Sequence, residues 1–387
     1  MHPALICEIF LKFLRQRTSA IIGLLIIATS GLLAMGSAAA QTASRCDEPV
    51  FGAAGIAIDQ RAATAAEARE AGVDAAARMA FLQVLDRLLL ADADQQQFAA
   101  AHQYDAFTDF VHIIEEKNLE KRYIATLDFC FDAERVRAAL QADGLQWAEL
   151  QSPPILLLPV WKDPGGASAW LRDNHWIAGW RSEIDSYNGL VNLRRLPHNL
   201  THERRFRGDD LLAGDPIKLA AAARLAGAEQ VMVVMAQLDY LGSKRVVDVE
   251  ARLFDKVGQP ITTVITIPKI ELDKTDMTQL DMARRMVMDR VEGSWHGANL
   301  INSNAAGYLL ASLPVANAKQ WSDRLDALRQ VAVIESVTIR TLDRRGGTVS
   351  LALAGSREAL QNALASEGLM LIDSGDEISI VAKSAGQ

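Results

Sequence analysis

The chain has 387 residues, half of them hydrophobic, and a formal net charge of −8. That apolar content is ample for buried cores, and the length is enough for two or three domains. The acidic balance argues against a general nucleic-acid binder, which carries a basic footprint.

The first 40 residues carry three features in order. Lys12, Arg15 and Arg17 stand against the single acid Glu8, an apolar stretch follows over 20–35, and small residues then lead to Ala38-Ala39-Ala40. Positive charge, apolar core and small-residue site are the parts of a secretory signal, so cleavage before Gln41 is expected. The alternative is an uncleaved membrane anchor, because residues 18–40 are uncharged and long enough to span a bilayer as a helix. A lipid anchor at Cys46 is not expected, since Arg45 stands where a small residue is required. Without residues 1–40 the charge becomes −10, and the expectation is a periplasmic protein with no further span. Of the three cysteines, Cys7 lies in the signal. Cys46 and Cys130 remain, a natural disulfide pair in an oxidising compartment.

The next segment, 41–150, reads as an α/β domain. A strand is expected over 50–58, and Thr64 with Glu67 spells a capping box, hydroxyl and carboxylate each satisfying an amide at a helix start. The helix carries Val73, Ala77, Phe81, Val84, Leu85 and Leu88 at helical spacing. Tyr104, Phe107, Val111 and Ile114 predict one face of a second helix. A strand follows over 122–131, and Asp132 caps a helix over 133–142 that Gly144 ends.

Residues 151–300 form the second expected domain, entered through Ser152-Pro153-Pro154. The apolar run 155–160 predicts a strand buried on both faces. A helix over 168–187 and a strand over 190–196 follow. Asp215 and Pro216 then open a helix that Gly227 closes. A buried strand over 230–237, a hairpin of 245–254 with 261–267, and a helix over 277–295 complete β-α-β-α-β-β-β-α, a mixed sheet with packed helices. The third expected domain, 306–384, reads strand 308–313, helix 318–330, strands 333–342 and 348–354, helix 356–366, and strands 369–372 and 378–381. The first six of these, β-α-β-β-α-β, are in ferredoxin-like order. The fold class is therefore α/β and α+β, multidomain.

Residues 75–89, and 123–144 running into 154–161, resemble the proteobacterial domain-of-unknown-function 2066 family. Leu90-Ala91-Asp92 departs from it, where a glycine would close the long helix. The resemblance implies an envelope location and no established activity. In the second segment, Leu157-Leu158-Pro159-Val160 leading to a helix, and Ala226-Gly227-Ala228 leading to a buried strand, resemble the amino-terminal domain of the Tol-system propeller protein and curli-type secretion lipoproteins. This resemblance implies a unit that docks within envelope assemblies rather than one that does chemistry.

The chain spells no P-loop, G-x-S-x-G elbow, H-E-x-x-H or G-x-G-x-x-G, and no catalytic residue, metal or cofactor is assigned. His198 and His202 have the spacing of helical zinc ligands but follow Pro197 without a third ligand, and read as solvated loop histidines. Asp163-Pro164-Gly165-Gly166 reads as a turn, with an anion cradle as the alternative. Arg194, Arg195, Arg204, Arg205 and Arg207 make a basic stretch in an acidic protein. Either it meets anionic groups of a partner, or it is a solvated loop balanced by Asp209, Asp210 and Asp215. Trp161, Trp170, Trp176 and Trp180 are the densest aromatic group, a partner surface or core packing.

The resulting expectation is a non-catalytic periplasmic binding or scaffolding component. Its partner would be an envelope protein or an anionic envelope component, not nucleic acid. Two alternatives stay open: a hydrolase whose site is assembled from scattered residues, and a small-ligand carrier with an apolar cavity between domains. A scaffold would expose an apolar or basic patch, an enzyme a cleft with perturbed titratable groups.

Overall fold

A computed structural model describes residues 46–273, 277–302, 307–375 and 377–383, with the side chains of 262 and 263 excepted. The expected signal, its cleavage site and the alternative anchor lie outside these residues. Three sheets of three, six and five strands organise the described residues.

The first sheet and its helices comprise β1 (Gly52–Arg61), α1 (Ala65–Leu88), α2 (Asp92–Ala101), β2 (Thr108–Leu119), β3 (Arg122–Phe131) and α3 (Ala133–Ala142). The expected capping box starts α1: the Thr64 hydroxyl accepts the Glu67 N–H at 3.2 Å, and the Glu67 carboxylate accepts the Thr64 N–H at 3.2 Å. Ala68, Ala76 and Ala80 of α1 are fully buried. Their small side chains let the helix lie close over Tyr123, Leu127 and Phe129 of β3, all in the same core. Both β1 and β2 pair antiparallel with β3. Cys46 and Cys130 form a disulfide with their Cα atoms 5.5 Å apart, tying the chain ahead of β1 to the middle strand.

One expected helix is absent. Residues 104–106 make a single 3-10 turn and 108–119 form β2, while a helix stands instead at 92–101. Tyr104, Phe107, Val111 and Ile114 have helical spacing, but Phe110, Val111, Ile113 and Ile114 are aromatic or β-branched and favour extended backbone. Pairing with β3 across the turn at Glu120 and Lys121 satisfies one side of that backbone. Periodicity alone could not foresee the pairing.

The second sheet is built from β4 (Ile155–Asp163), β5 (Gly166–Ser168), α4 (His175–Ser186), β6 (Leu193–Arg194), α5 (Leu200–Arg205), α6 (Gly208–Leu212), α7 (Pro216–Ala226), β7 (Gln230–Leu241), β8 (Lys244–Asp255), β9 (Pro260–Leu272) and α8 (Thr278–Ala298). β4 and β7 are parallel, and β7, β8 and β9 run antiparallel in turn. Ile155, Leu157, Met232 and Val234 pack under α4 and α8. Leu156, Leu158, Val160, Val231 and Val233 pack on the opposite face with α6 and α7. Burial on both faces explains why 155–160 is apolar without alternation. The expected helix from 168 begins only at His175, because 166–168 folds back on β4. The expected strand 190–196 shrinks to a two-residue pairing with β4.

The third sheet comprises β10 (Gly307–Pro314), α9 (Ala318–Gln330), β11 (Ile334–Asp343), β12 (Gly346–Leu353), α10 (Arg357–Ser366), β13 (Leu369–Asp373) and β14 (Ile378–Ala382). β12 lies antiparallel between β10 and β11, the expected split arrangement. The end differs from a simple ferredoxin-like order: β13 and β14 form a hairpin, and β14 takes the place beside β10, in parallel. Leu313, Leu328, Val349, Leu351, Leu360, Leu364 and Ile380 fill the core.

The three sheets are joined through buried contacts. Ile301 makes single bridges to Trp147 and to Gly355 and sits in the first sheet's core. Arg87 of α1, 7% exposed, reaches the segment before α1 and the segment after α4. It donates to the carbonyls of Asn188 at 2.8 Å and Gly52 at 3.0 Å, and also to the Val50 carbonyl and the Asn188 side chain. His296 Nε2–H of α8 donates to the Arg87 carbonyl at 2.9 Å. Glu292, one turn earlier, accepts the Leu190 N–H at 2.9 Å and the Tyr187 hydroxyl. Burial lowers the Arg87 pKa to about 10, pushes Glu292 up and pushes His296 down. Among the described residues, no helix is long and apolar enough to cross a membrane.

Candidate functional site

The residues singled out in the sequence lie on both faces of the second sheet: Trp161, Trp176 and Trp180 in the core with α4 and α8, and Trp170 in the core with α6 and α7. Asn174 caps α4 by accepting the Trp176 and Ile177 N–H groups at 3.0 and 3.1 Å. That fixes the helix so that Trp176 and Trp180, one turn apart, both face inward. They are 0% exposed and meet edge to face at 5.6 Å between centroids, with the Trp176 indole N–H on the Val234 carbonyl at 3.3 Å. Trp161 is buried at the end of β4 and donates to Asp163 at 3.1 Å. Trp170 is buried as well and donates to the Phe206 carbonyl at 2.7 Å. The four tryptophans are core side chains, and the aromatic group offers no surface.

The arginines divide into two sets. Arg194 is half-buried in β6, and Arg195 donates to both oxygens of Asp185, at 2.8 and 3.3 Å. Arg204 and Arg205 lie in α5, Arg207 immediately precedes α6, and all three are exposed. None of these three makes an ion pair with a carboxylate among the described residues; Arg205 lies 5.4 Å from the Phe206 ring. Asp215, expected from the sequence to balance them, instead caps α7, accepting the Ile217 and Lys218 N–H groups at 2.9 and 3.1 Å.

The short helices that present this basic surface are held from beneath. The Trp170 ring lies 6.1 Å from His198 and 6.1 Å from His202. His202 Nδ1–H donates to the Pro197 carbonyl at 2.7 Å, and His198 Nδ1 accepts from Arg172 at 3.2 Å. His198, in the loop, and His202, which lies in α5 rather than in the expected loop, therefore brace this segment, and among the described residues no group of three or more His, Cys, Asp or Glu is placed to hold a metal ion. In the turn from β4 to β5 the Gly165 N–H points to the Asp163 carboxylate at 2.8 Å, so the turn is closed on itself.

Gly208 sets the distance between α6 and β5. A Cβ there would stand 2.5 Å from the Ala167 carbonyl carbon and oxygen and 2.7 Å from the Ser168 nitrogen, and backbone cannot swing aside as a flexible side chain does. Gly208→Ala is expected to lower stability by about 1–3 kcal/mol, the usual cost of overpacking, measured as the urea midpoint. An unchanged midpoint would disprove the close approach.

Two features could not be placed from the sequence. One is the buried polar group of Arg87, Tyr187, Glu292 and His296, whose members come from distant segments. The other is an apolar cavity of about 250 Å³ between the second sheet, the end of α8 and α10. Ile155, Met232, Leu253, Ile265, Val291 and Trp295 supply its apolar walls. The carrier alternative anticipated a cavity of this kind without locating it.

No family model matches the chain, so the resemblance to the domain-of-unknown-function 2066 family has no support there, and no curated protein matches either. Among solved structures, the chain is similar to lipoprotein GNA1162 from Neisseria meningitidis, at 17% identity over 37% of this chain and 99% of that one, with a TM-score of 0.24. It is also similar to the LpoB C-terminal domain from Salmonella enterica, at 16% identity over 35% of this chain and 93% of that one, with a TM-score of 0.22. Protein XCC0632 from Xanthomonas campestris shows 10% identity over 38% and 83% of the two chains, with a TM-score of 0.15. Likenesses of this strength carry no functional argument.

Proposed function

We propose that this protein is an exported, non-catalytic component of the bacterial cell envelope that binds an anionic envelope component through the surface of α5 and α6. The observation that carries this reading is the exposure of Arg204, Arg205 and Arg207, without carboxylate partners among the described residues, in a protein of net charge −8. Unpaired guanidinium groups are suited to phosphate and carboxylate oxygens, which they grip with two parallel N–H donors. Export rests on the sequence of residues 1–40, and the Cys46–Cys130 bridge accords with an oxidising compartment such as the periplasm. In this reading 41–150, 151–300 and 306–384 are three domains, with the middle one as the binding unit. Arg87, Glu292 and His296, each shifted by burial, are hydrogen-bonded to the segments packed around them, which supports a structural use for them rather than a hydrolytic one.

Co-sedimentation with vesicles tests the proposal. The protein is expected to bind vesicles containing anionic phospholipid and not neutral ones, with binding that weakens as salt is raised. At about 1 kcal/mol for each basic side chain near an anionic surface, Arg204→Ala, Arg205→Ala and Arg207→Ala together should weaken binding about a hundredfold. Equal binding by wild type and triple variant, or equal binding to neutral vesicles, defeats the reading.

A further inference from the structure

The cavity beneath the end of α8 differs in character from the basic surface. Its floor is the face of the second sheet, contributed by Ile155 of β4, Met232 of β7, Ala251 and Leu253 of β8 and Ile265 of β9. Val291, Trp295 and Ala298 of α8 form one wall, and Glu358 and Asn362 of α10 stand at the other. Beside it lies an outer cleft of about 610 Å³ that includes Lys256, Asp255 and Lys383, and the two spaces share Ser152, Gln230, Trp295 and Asn362. These four shared residues mark the throat between a mainly apolar inner space and an outer cleft whose rim carries Asp255, Lys256 and Lys383.

The throat is well braced. The Trp295 indole N–H donates to the Leu150 carbonyl at 2.6 Å, Asn362 donates to Asn299 at 3.0 Å, and Ser152 donates to the Pro153 carbonyl at 2.9 Å. The Gln230 side chain has no hydrogen-bond partner among the described residues, although its carboxamide carries both donors and an acceptor. At the mouth, Lys256 pairs with Glu229 at 3.2 Å, the Asp255 carboxylate accepts the Val257 and Gln259 N–H groups at 3.0 and 2.8 Å, and Lys383 is exposed. Charge at the mouth is thus close to balanced, while the interior is mainly apolar, with Arg252, Ser294 and Glu358 also in its lining. The interior, not the charge of the head group, sets what fits.

We infer that this cavity binds the apolar chain of a single-chain amphiphile, with Gln230 at the throat facing the head group. An apolar cavity of about 150 Å³ admits the six carbons of benzene, so about 250 Å³ admits a chain of roughly ten carbons. Walls that face an unfilled apolar space lose their dispersion contacts, and a hydrocarbon chain restores them. The site shares no residue with the α5–α6 surface, and the triple arginine variant is expected to bind the amphiphile as the wild type does. Failure of one proposal is therefore distinguishable from failure of the other.

The test is a calorimetric titration of the purified protein with hexanoate, octanoate, decanoate and dodecanoate, each below its micellar concentration, with decanol alongside. Affinity is expected to rise about fourfold for each added methylene and to level off near ten carbons, where the cavity is full. Decanoate and decanol binding alike would assign selection to the chain, and a preference for one would give the head group as acid or alcohol. Ala298→Phe, which puts a ring into the cavity, should weaken decanoate binding at least tenfold; Leu253→Trp, on the sheet side, serves if that variant does not fold. Absence of any dependence on chain length, a rise that continues past dodecanoate, or unchanged binding by a folded cavity-filled variant would overturn the inference.

Discussion

Arg87→Met is expected to lower stability by about 3–5 kcal/mol, the cost of removing one side of a buried charged group. Arg87 is 7% exposed and serves acceptors from two segments: the Pro49, Val50 and Gly52 carbonyls, and the carbonyl and side chain of Asn188. Methionine has a similar length but no donor, so these buried acceptors would lose their partners, which costs more than the bonds themselves contribute. The Glu292 carboxylate would also lose the nearby positive charge that partly offsets its burial. His296 would keep its bond to the residue 87 carbonyl, because that contact is to backbone. The measurement is urea unfolding followed by both tryptophan fluorescence and circular dichroism. A loss under about 1 kcal/mol would show that water replaces the guanidinium, and that the contact between α1 and α8 does not depend on it.

The second large effect concerns the Cys46–Cys130 disulfide. It closes 84 residues, and the chain-entropy account gives about 4.5 kcal/mol for a loop of that size. Cys130→Ser, or reduction of the wild type, is expected to lower stability by about 2–5 kcal/mol. Both cysteines are buried, at 8% and 3% exposure, so a reductant acts only slowly on the folded protein and the variant is the cleaner comparison. Cys46→Ser and Cys130→Ser should show equal losses, since each removes the same bridge, and the double variant no further loss. A wild type whose urea midpoint is the same after full reduction would show that the bridge adds nothing to the fold.

Much of the local structure was legible because it depends on neighbours in the sequence. Thr64 and Glu67, Asp132, and Asp215 with Pro216 all stand at helix starts as expected, because a cap is made within four residues of itself. The run 155–160 was readable as a doubly buried strand, since no polar residue interrupts it. The β2 region was misread for the opposite reason: its partner β3 follows it only through a hairpin, and the spacing of Tyr104, Phe107, Val111 and Ile114 fits a helix as well. The tryptophans illustrate a similar limit. Their density showed that they matter for packing or for a partner, but only the inward turn of α4 and the bond of Trp170 to Phe206 assign them to the core.

The sequence by itself determined the positions of most helices and strands, the cysteine pair, and the arginine stretch that remains the candidate partner surface. Each of those follows from residue type, spacing or compartment. Tertiary structure decided which arginines stay unpaired, because Asp185 reaches Arg195 only across the join between α4 and β6, and Asp215 is drawn away to cap α7. It also assembled the Arg87 group and the apolar cavity from residues more than a hundred positions apart, such as Arg87 with His296 and Ile155 with Val291. Long-range contacts of that kind arise from how the sheets pack on one another, and no local pattern encodes them.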